Sequence, residues 1–202
     1  MYKVFIENRA VEFVNSQKIE PKVKGIDARS IQTIEQDLSQ LLSELDPKEC
    51  LLIYCDDAEK EWERLFQFHE FVHAAGGLVR NGNQWLVIKR NGMLDLPKGH
   101  LDENEKPAVG AEREIAEECG VFRLKLKGFS CSTFHTYFYE GKPVLKQTDW
   151  FVFEHFGDKT GEPQIEEGIE AVLWMQEDEM SSNFDRFYTS VQFVIHESFK
   201  GK

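Results

Sequence analysis

Between Pro107 and Gly120 the chain reads PAVGAEREIAEECG, a stretch that admits few structures other than a helix with two unlike faces. Proline at the start costs nothing there, because the first N–H groups of a helix have no partner, and glycine just past Cys119 suits a left-handed terminal residue. At 100° per residue Glu114, Glu117 and Glu118 share an arc of roughly 100°. Ala108, Ala111, Ile115 and Cys119 fill the opposite side, so the spacing predicts a helix over Pro107 to Cys119 that buries one face and presents three carboxylates on the other. Gly110 is expected to keep space beside the acids, at a cost of about 1 kcal/mol.

Carboxylates at this spacing repel one another by some tenths of a kcal/mol per pair, and more where water is excluded. A compensating cation is therefore expected. Hard oxygen donors suit Mg²⁺, with Mn²⁺ as a substitute, since both keep water ligands and bridge phosphate oxygens. Such an ion polarises a phosphoryl group and lowers the pKa of the attacking water. Arg113 is placed to pair with Glu105 and hold it. A solvated acidic helix face is the plainer explanation, and the residues around the helix decide between the two.

Gly99 is followed after five residues by Glu105, then after seven by Arg113-Glu114-Ile115, with Glu117-Glu118 and Gly120-Val121 completing the series at single-residue gaps. Background frequencies of about 6% per fixed residue make a chance match on the order of one in ten million. The segment resembles the complete signature of the Nudix hydrolases. That resemblance implies an α/β/α sandwich with a mixed sheet and a divalent-metal-dependent hydrolase of diphosphate linkages. By position, Glu117 and Glu118 resemble the principal metal ligands, Gly99 a carbonyl ligand and Glu114 a ligand or general base. Arg113 and Glu105 resemble an orienting pair. Some members take the base from a later loop, for which Glu166, Glu167 and Glu170 are the candidates and Glu167 the one selected.

The rest of the chain is read more coarsely. Strands are expected at Tyr2 to Ile6, Ala10 to Val14 and Cys50 to Cys55, with helices at Ala28 to Leu45, capped by Asp27, and Ala58 to His73. This makes residues 1–73 a small α/β unit of unassigned role, for which dimerisation is one option. A second unit, 74–202, is expected to open after Gly76-Gly77 with a hairpin, Leu78 to Arg80 and Gln84 to Lys89, turning at Asn81-Gly82. Strands follow at Phe122 to Lys127, Thr133 to Tyr139, Asp149 to His155 and Ala171 to Met175, then a helix at Phe184 to Phe199.

With 41% apolar residues among 202 the chain has ample material for a core. Its net charge of −12 argues against a DNA-binding role, though not against a small phosphorylated substrate carried with a cation. No apolar run is long enough to span a bilayer and the opening does not resemble a signal peptide, so a cytoplasmic protein is expected, with no membrane partner. Cys50, Cys55, Cys119 and Cys131 form no CxxC pair and are expected to be reduced.

For the substrate, Leu96-Pro97-Lys98-Gly99-His100 resembles the loop of dinucleoside-polyphosphate hydrolases, with Lys98 and His100 facing phosphate. His135, Tyr137 and Tyr139 share one face of their strand and suit stacking on a base. ADP-ribose or a nucleotide sugar is the alternative substrate. A nucleotide sensor without catalysis is the alternative of another class, against which every acid of the signature is present. His69-Glu70-Phe71-Val72-His73 fits the HExxH zinc motif on a predicted helix. Its companions Trp62, Leu65 and Phe66 favour packed histidines instead.

Overall fold

A computed structural model describes residues 2–15, 28–31, 42 and 49–200, the side chains of 28–31 excepted. Contacts divide the chain into two units, Met1–Phe71 with Phe134–Lys146, and Val72–Thr133 with Gln147–Lys202.

In the first unit β1 (Tyr2–Ile6) and β2 (Arg9–Asn15) form an antiparallel hairpin. Glu7 and Asn8 at its turn both have positive φ, as the twist-matched two-residue turn requires. β3 (Ala28–Ile31) and β4 (Cys50–Cys55) extend the sheet in parallel, in the order β1-β2-β4-β3. The helix expected from Ala28 is thus corrected at its start: Ala28–Ile31 is a strand paired with Cys50–Ile53. Most of that expected helix, and its cap Asp27, lie outside the described residues. Helix α1 (Ala58–Phe66) begins where the Asp57 carboxylate accepts from the N–H groups of Glu59 and Lys60. It lays Ala58 and Phe66 onto Val4, Val11, Phe13, Leu51 and Ile53.

α1 ends at Phe66 rather than His73, and β5 (Glu70–Asn81) starts four residues later. The HExxH segment therefore lies on a turn and a strand. Successive strand side chains point to opposite faces, so the i, i+4 helical pairing that a zinc site of this type needs is absent. His69 packs edge-on against Phe66, and His73 bonds Asp149.

The second unit is a mixed sheet between helices. Its order is β11-β6-β5-β10-β9, where β6 is Gln84–Arg90, β9 Leu124–Tyr139, β10 Lys142–His155 and β11 Ile169–Gln176. The short strands β7 (Met93–Asp95) and β8 (Lys98–His100) pair with β6 and β5. The period of two is explicit in β6. Leu86 and Ile88 join Ala75, Val79 and Phe153 beneath helix α2 (Pro107–Cys119), through Ala111, Ile115 and Cys119. Trp85 and Val87 join Leu78 and Trp150 on the other face, covered by Val191, Val194 and Ile195 of helix α4 (Thr189–Phe199) and by Met180 of the short α3 (Glu177–Ser182). This is the α/β/α sandwich expected.

Several boundaries differ from the sequence expectation. Gly76 and Gly77 do not break β5; a Cβ on Gly77 would run into Ile115, and one on Gly76 would stand 2.7 Å from Lys98, Pro97 and Trp150. These glycines let α2 and β8 approach the sheet. Gly82 and Asn83 are the central turn residues, because Asn81 pairs with Gln84. The two strands expected over Phe122 to Tyr139 are one, and β10 begins at Lys142, with Glu140 and Gly141 turning between them. The C-terminal helix starts at Thr189, preceded by a 3-10 turn at Phe184–Arg186.

Candidate active site

Helix α2 starts at Pro107 and ends at Gly120, whose left-handed backbone (φ 63°) returns an N–H to the Ala116 carbonyl. Its last turn carries Glu117 and Glu118 and no basic residue, against the preference of a helix C-terminus for positive charge. The compensation comes from elsewhere. Arg113 aims all five guanidinium N–H groups at oxygens. Nε and Nη2 grip both Glu105 oxygens at 2.9 and 2.8 Å, Nη1 reaches Glu114 at 2.8 Å and Glu117 at 2.7 Å, and Nη2 also donates to the His100 carbonyl at 2.9 Å. The paired geometry holds the Glu105 carboxyl below its ordinary range, helped by the Asp102 N–H.

The three helix acids occupy different environments. Glu117 is exposed, Glu114 half-buried and Glu118 only 2% exposed. The expected arrangement of three acids opposite a buried face is corrected here: seven residues on from Ala111, Glu118 returns to nearly the same side of the helix and is buried with it. Burial pushes the Glu118 carboxyl up to about 7, opposed by Lys98, whose backbone N–H donates to it at 2.9 Å, and by Arg90. Burial also raises Glu114, with Arg113 opposing and the charges of Glu117 and Glu167 adding to the rise.

Glycine at position 99 has a direct cause. A Cβ there would coincide with the Glu114 carboxylate. Gly110, in contrast, leaves no open space beside the acids, since its missing side chain is replaced by Leu101 and by Glu105 Oε2 at 2.8 Å. It lets the loop bearing Glu105 close on the helix.

Arg90, at the end of β6, was not singled out from sequence. Its guanidinium lies 3.6 Å from Glu118 and 3.3 Å from Glu167, so it joins the helix to the loop before β11. That loop is tied to the helix end: the N–H of Glu162 donates to the Cys119 carbonyl and that of Gln164 to the Glu118 carbonyl. Both are terminal helix carbonyls that otherwise lack partners. Glu167 closes a 3-10 turn over Ile165–Glu167. Glu170 turns elsewhere, engaged by Lys89 at 2.6 Å and by the Gly92 N–H at 2.7 Å, and Glu166 is exposed.

Of the residues expected to meet substrate, Lys98 directs its ammonium to the buried Asp95, and His100 is exposed at the end of β8. His135, Tyr137 and Tyr139 belong to the other unit. His135 stacks on Phe5 at 5.4 Å and the Lys146 ammonium lies 5.8 Å from the Tyr137 ring.

The donor set fits a hard divalent cation. Three carboxylates lie within five residues of one helix, and Gly99 leaves the Glu114 carboxylate its room. Among the described residues no three His, Cys, Asp or Glu side chains converge as a closed cage; Glu105, Glu114 and Glu117 gather on the Arg113 cation instead.

A mixed sheet enclosed by two helical layers, with an acid-rich helix locked to the glycine-bearing strand β8 and to the turn before the last strand, defines the class. The chain belongs to the NUDIX family, whose domain model matches residues 70–191. It is 42% identical over 52 residues to a MutT-like protein of Streptomyces ambofaciens, a match covering 25% of this chain and 34% of that protein. The chain thus spans about a third of the length of this curated relative. Among solved structures, a MutT NUDIX hydrolase from Burkholderia pseudomallei has a TM-score of 0.52 at 19% identity, covering 64% of this chain and 98% of the other. A NUDIX hydrolase from Nitrosomonas europaea has a TM-score of 0.50 at 19% identity, covering 63% and 69%. These two share the fold. Among the described residues no helix is long and apolar enough to cross a membrane.

Proposed function

We propose that this protein hydrolyses the diphosphate linkage of a nucleoside-diphosphate-linked compound with the aid of Mg²⁺, for which Mn²⁺ can substitute. The observation that carries the reading is the pair of guanidinium groups that links five carboxylates: Arg113 joins Glu105, Glu114 and Glu117, and Arg90 joins Glu118 and Glu167.

In this reading Glu114, Glu117, Glu118 and the Gly99 carbonyl would hold the cation, which would supply neutralisation of phosphate charge and acidification of water. Glu167 orients the attacking water molecule and accepts its proton as the oxygen bonds to phosphorus. The bridging oxygen leaves with the electron pair of the broken P–O bond. Arg90 fixes Glu167 relative to Glu118, and Arg113, itself held by Glu105, fixes Glu114 and Glu117 directly. His100 is the proposed phosphate contact. Lys98 contributes by holding β8 to α2 through its N–H on Glu118 and to the end of β7 through its ammonium on Asp95. His135, Tyr137 and Tyr139 enter no step.

Dinucleoside polyphosphates are the first substrates to try and ADP-ribose with nucleotide sugars the second. Chromatography of products formed with Mg²⁺ separates them. Asymmetric cleavage of diadenosine tetraphosphate supports the first class, and preferential release of AMP from ADP-ribose replaces the substrate while keeping the chemistry. No turnover of any diphosphate compound with either metal contradicts the proposal and favours a sensor.

A further inference from the structure

The first half of β9 is an outer edge of the second unit's sheet. β10 lies on one side of it, while β1 pairs with β9 only at His135 and Thr136. Among the described residues no strand therefore pairs with the outer side of Leu124–Thr133. Along such an edge every second residue turns its N–H and C=O outward.

The side chains along this edge are of two kinds. Leu124 packs beneath α2, so the period of two sends Leu126 to the same face and Lys125 and Lys127 to the other. Beyond Gly128, Phe129 returns to the α2 face, where its ring meets that of Phe151 at 5.6 Å. Phe122 and Phe156 flank the start of the strand, the latter through its N–H on the Arg123 carbonyl. Phe122, Leu126, Phe129 and Phe156 are 47–63% exposed, and they gather on one edge, whereas surface apolar residues are ordinarily scattered singly. In a chain of net charge −12, the same stretch carries Arg123, Lys125 and Lys127, all exposed. Lys127 pairs with Glu154 at 3.1 Å. The Arg123 guanidinium and the Lys125 ammonium have no acidic partner among the described residues.

Cations interleaved with exposed apolar groups suit an anionic lipid surface, a single-stranded nucleic acid or an acidic protein segment. Only the last also supplies the N–H and C=O groups that an open strand edge needs. A second copy of the same strand is disfavoured, because lysine would face lysine across the new pair. We infer that the outer edge of β9 docks an extended acidic segment of a partner protein, which joins the sheet as an added strand. Its carboxylates lie beside Lys125, with Arg123 at the entrance, and its alternate apolar side chains lie beside Leu126 and Phe129. Nothing in this docking requires the hydrolytic reading.

The test is fluorescence anisotropy of the whole protein with a labelled decapeptide of alternating glutamate and valine, compared with one of alternating lysine and valine. The acidic peptide is expected to bind and the basic one not. Arg123→Glu combined with Lys125→Glu should weaken the acidic peptide by at least about tenfold. Two further versions of that peptide, N-methylated at every valine or at every glutamate, keep its charge. One of the two should lose at least about tenfold in affinity and the other little, since only one set of N–H groups faces β9. No binding of the acidic peptide, equal binding of the basic one, or indifference to the double substitution overturns the inference. So does equal affinity of both N-methylated versions and the parent. Binding of single-stranded oligothymidylate or of phosphatidylserine vesicles through Arg123 and Lys125, in place of the peptide, overturns it as well and assigns the edge to that ligand.

Discussion

At the scale of single residues, the site is organised by two arginines of unequal legibility. Arg113 stands within the signature, and its pairing with Glu105 was expected from the family resemblance that the signature carries. Arg90 lies nine residues before Gly99 at a strand end, where a basic residue is commonplace, and only the folded chain brings it to Glu118 and Glu167. The burial of Glu118 was equally hidden, because charge is a poor guide to side-chain depth when a fold supplies partners. Arg90→Gln should lower kcat by about an order of magnitude with KM nearly unchanged, as expected for a positioning residue felt chiefly in the transition state. Steady-state kinetics check this, and an unaltered kcat would remove Arg90 from the account. A second polar network lies away from these acids. Burial alone would raise the Asp149 carboxyl, but Ser132 at 2.5 Å, Gln147 at 2.8 Å and His73 at 2.7 Å outweigh it and hold the group below its ordinary value. A depressed carboxyl contributes stability above its unfolded pKa, near about 3.9, and loses it as pH falls through the folded value. Asp149→Asn should therefore be less stable than wild type by about 2 kcal/mol at pH 7. The gap should close below about pH 4, as denaturant unfolding at several pH values would show.

At the scale of elements, the ends of α2 were readable because proline and glycine act there through local backbone geometry. The same logic misled at Gly76-Gly77. Glycine in a sequence signals a break, whereas in β5 it marks the close approach of Ile115 and of Lys98 to the strand, a tertiary cause with no local trace. The HExxH segment failed for a related reason: apolar positions Trp62, Leu65 and Phe66 continue the helical pattern toward His69, but the chain turns at residues 67–69 and enters a strand. Gly120 couples two elements. Its φ of 63° suits glycine, and an added Cβ would lie 3.1 Å from the Glu162 nitrogen, which itself bonds the helix end. Gly120→Ala should cost about 1–2 kcal/mol and lower Tm by about 2–8 °C. Thermal unfolding tests this, and an unchanged Tm would show that the helix end and the loop are not held as described.

For the whole molecule, the sandwich over the second unit was legible from the family resemblance, with which the strands and helices read from periodicity were compatible. The assignment of residues 134–146 to the first unit was not, because β9 pairs with β1 at Phe5–His135 across some 130 positions of sequence. All four cysteines are free thiols. Burial raises each of them, Cys50 to about 12 and Cys131 to about 11, and thiolates are the reactive form. A thiol reagent at neutral pH should modify the partly exposed Cys55 first and reach the buried Cys50 and Cys119 only on unfolding. Mass spectrometry of the labelled protein would show the order, and rapid native labelling of Cys119 would contradict the core beneath α2. The central claim is that the carboxylates of α2 support metal-dependent cleavage of a diphosphate linkage. The most direct measurement compares wild type with Glu118→Gln for hydrolysis of ADP-ribose and diadenosine tetraphosphate, with Mg²⁺ and with EDTA. Cleavage by wild type that EDTA abolishes and Glu118→Gln lowers by at least about a hundredfold, with an unchanged circular dichroism spectrum, is the predicted result. Turnover that survives both EDTA and the substitution would contradict it.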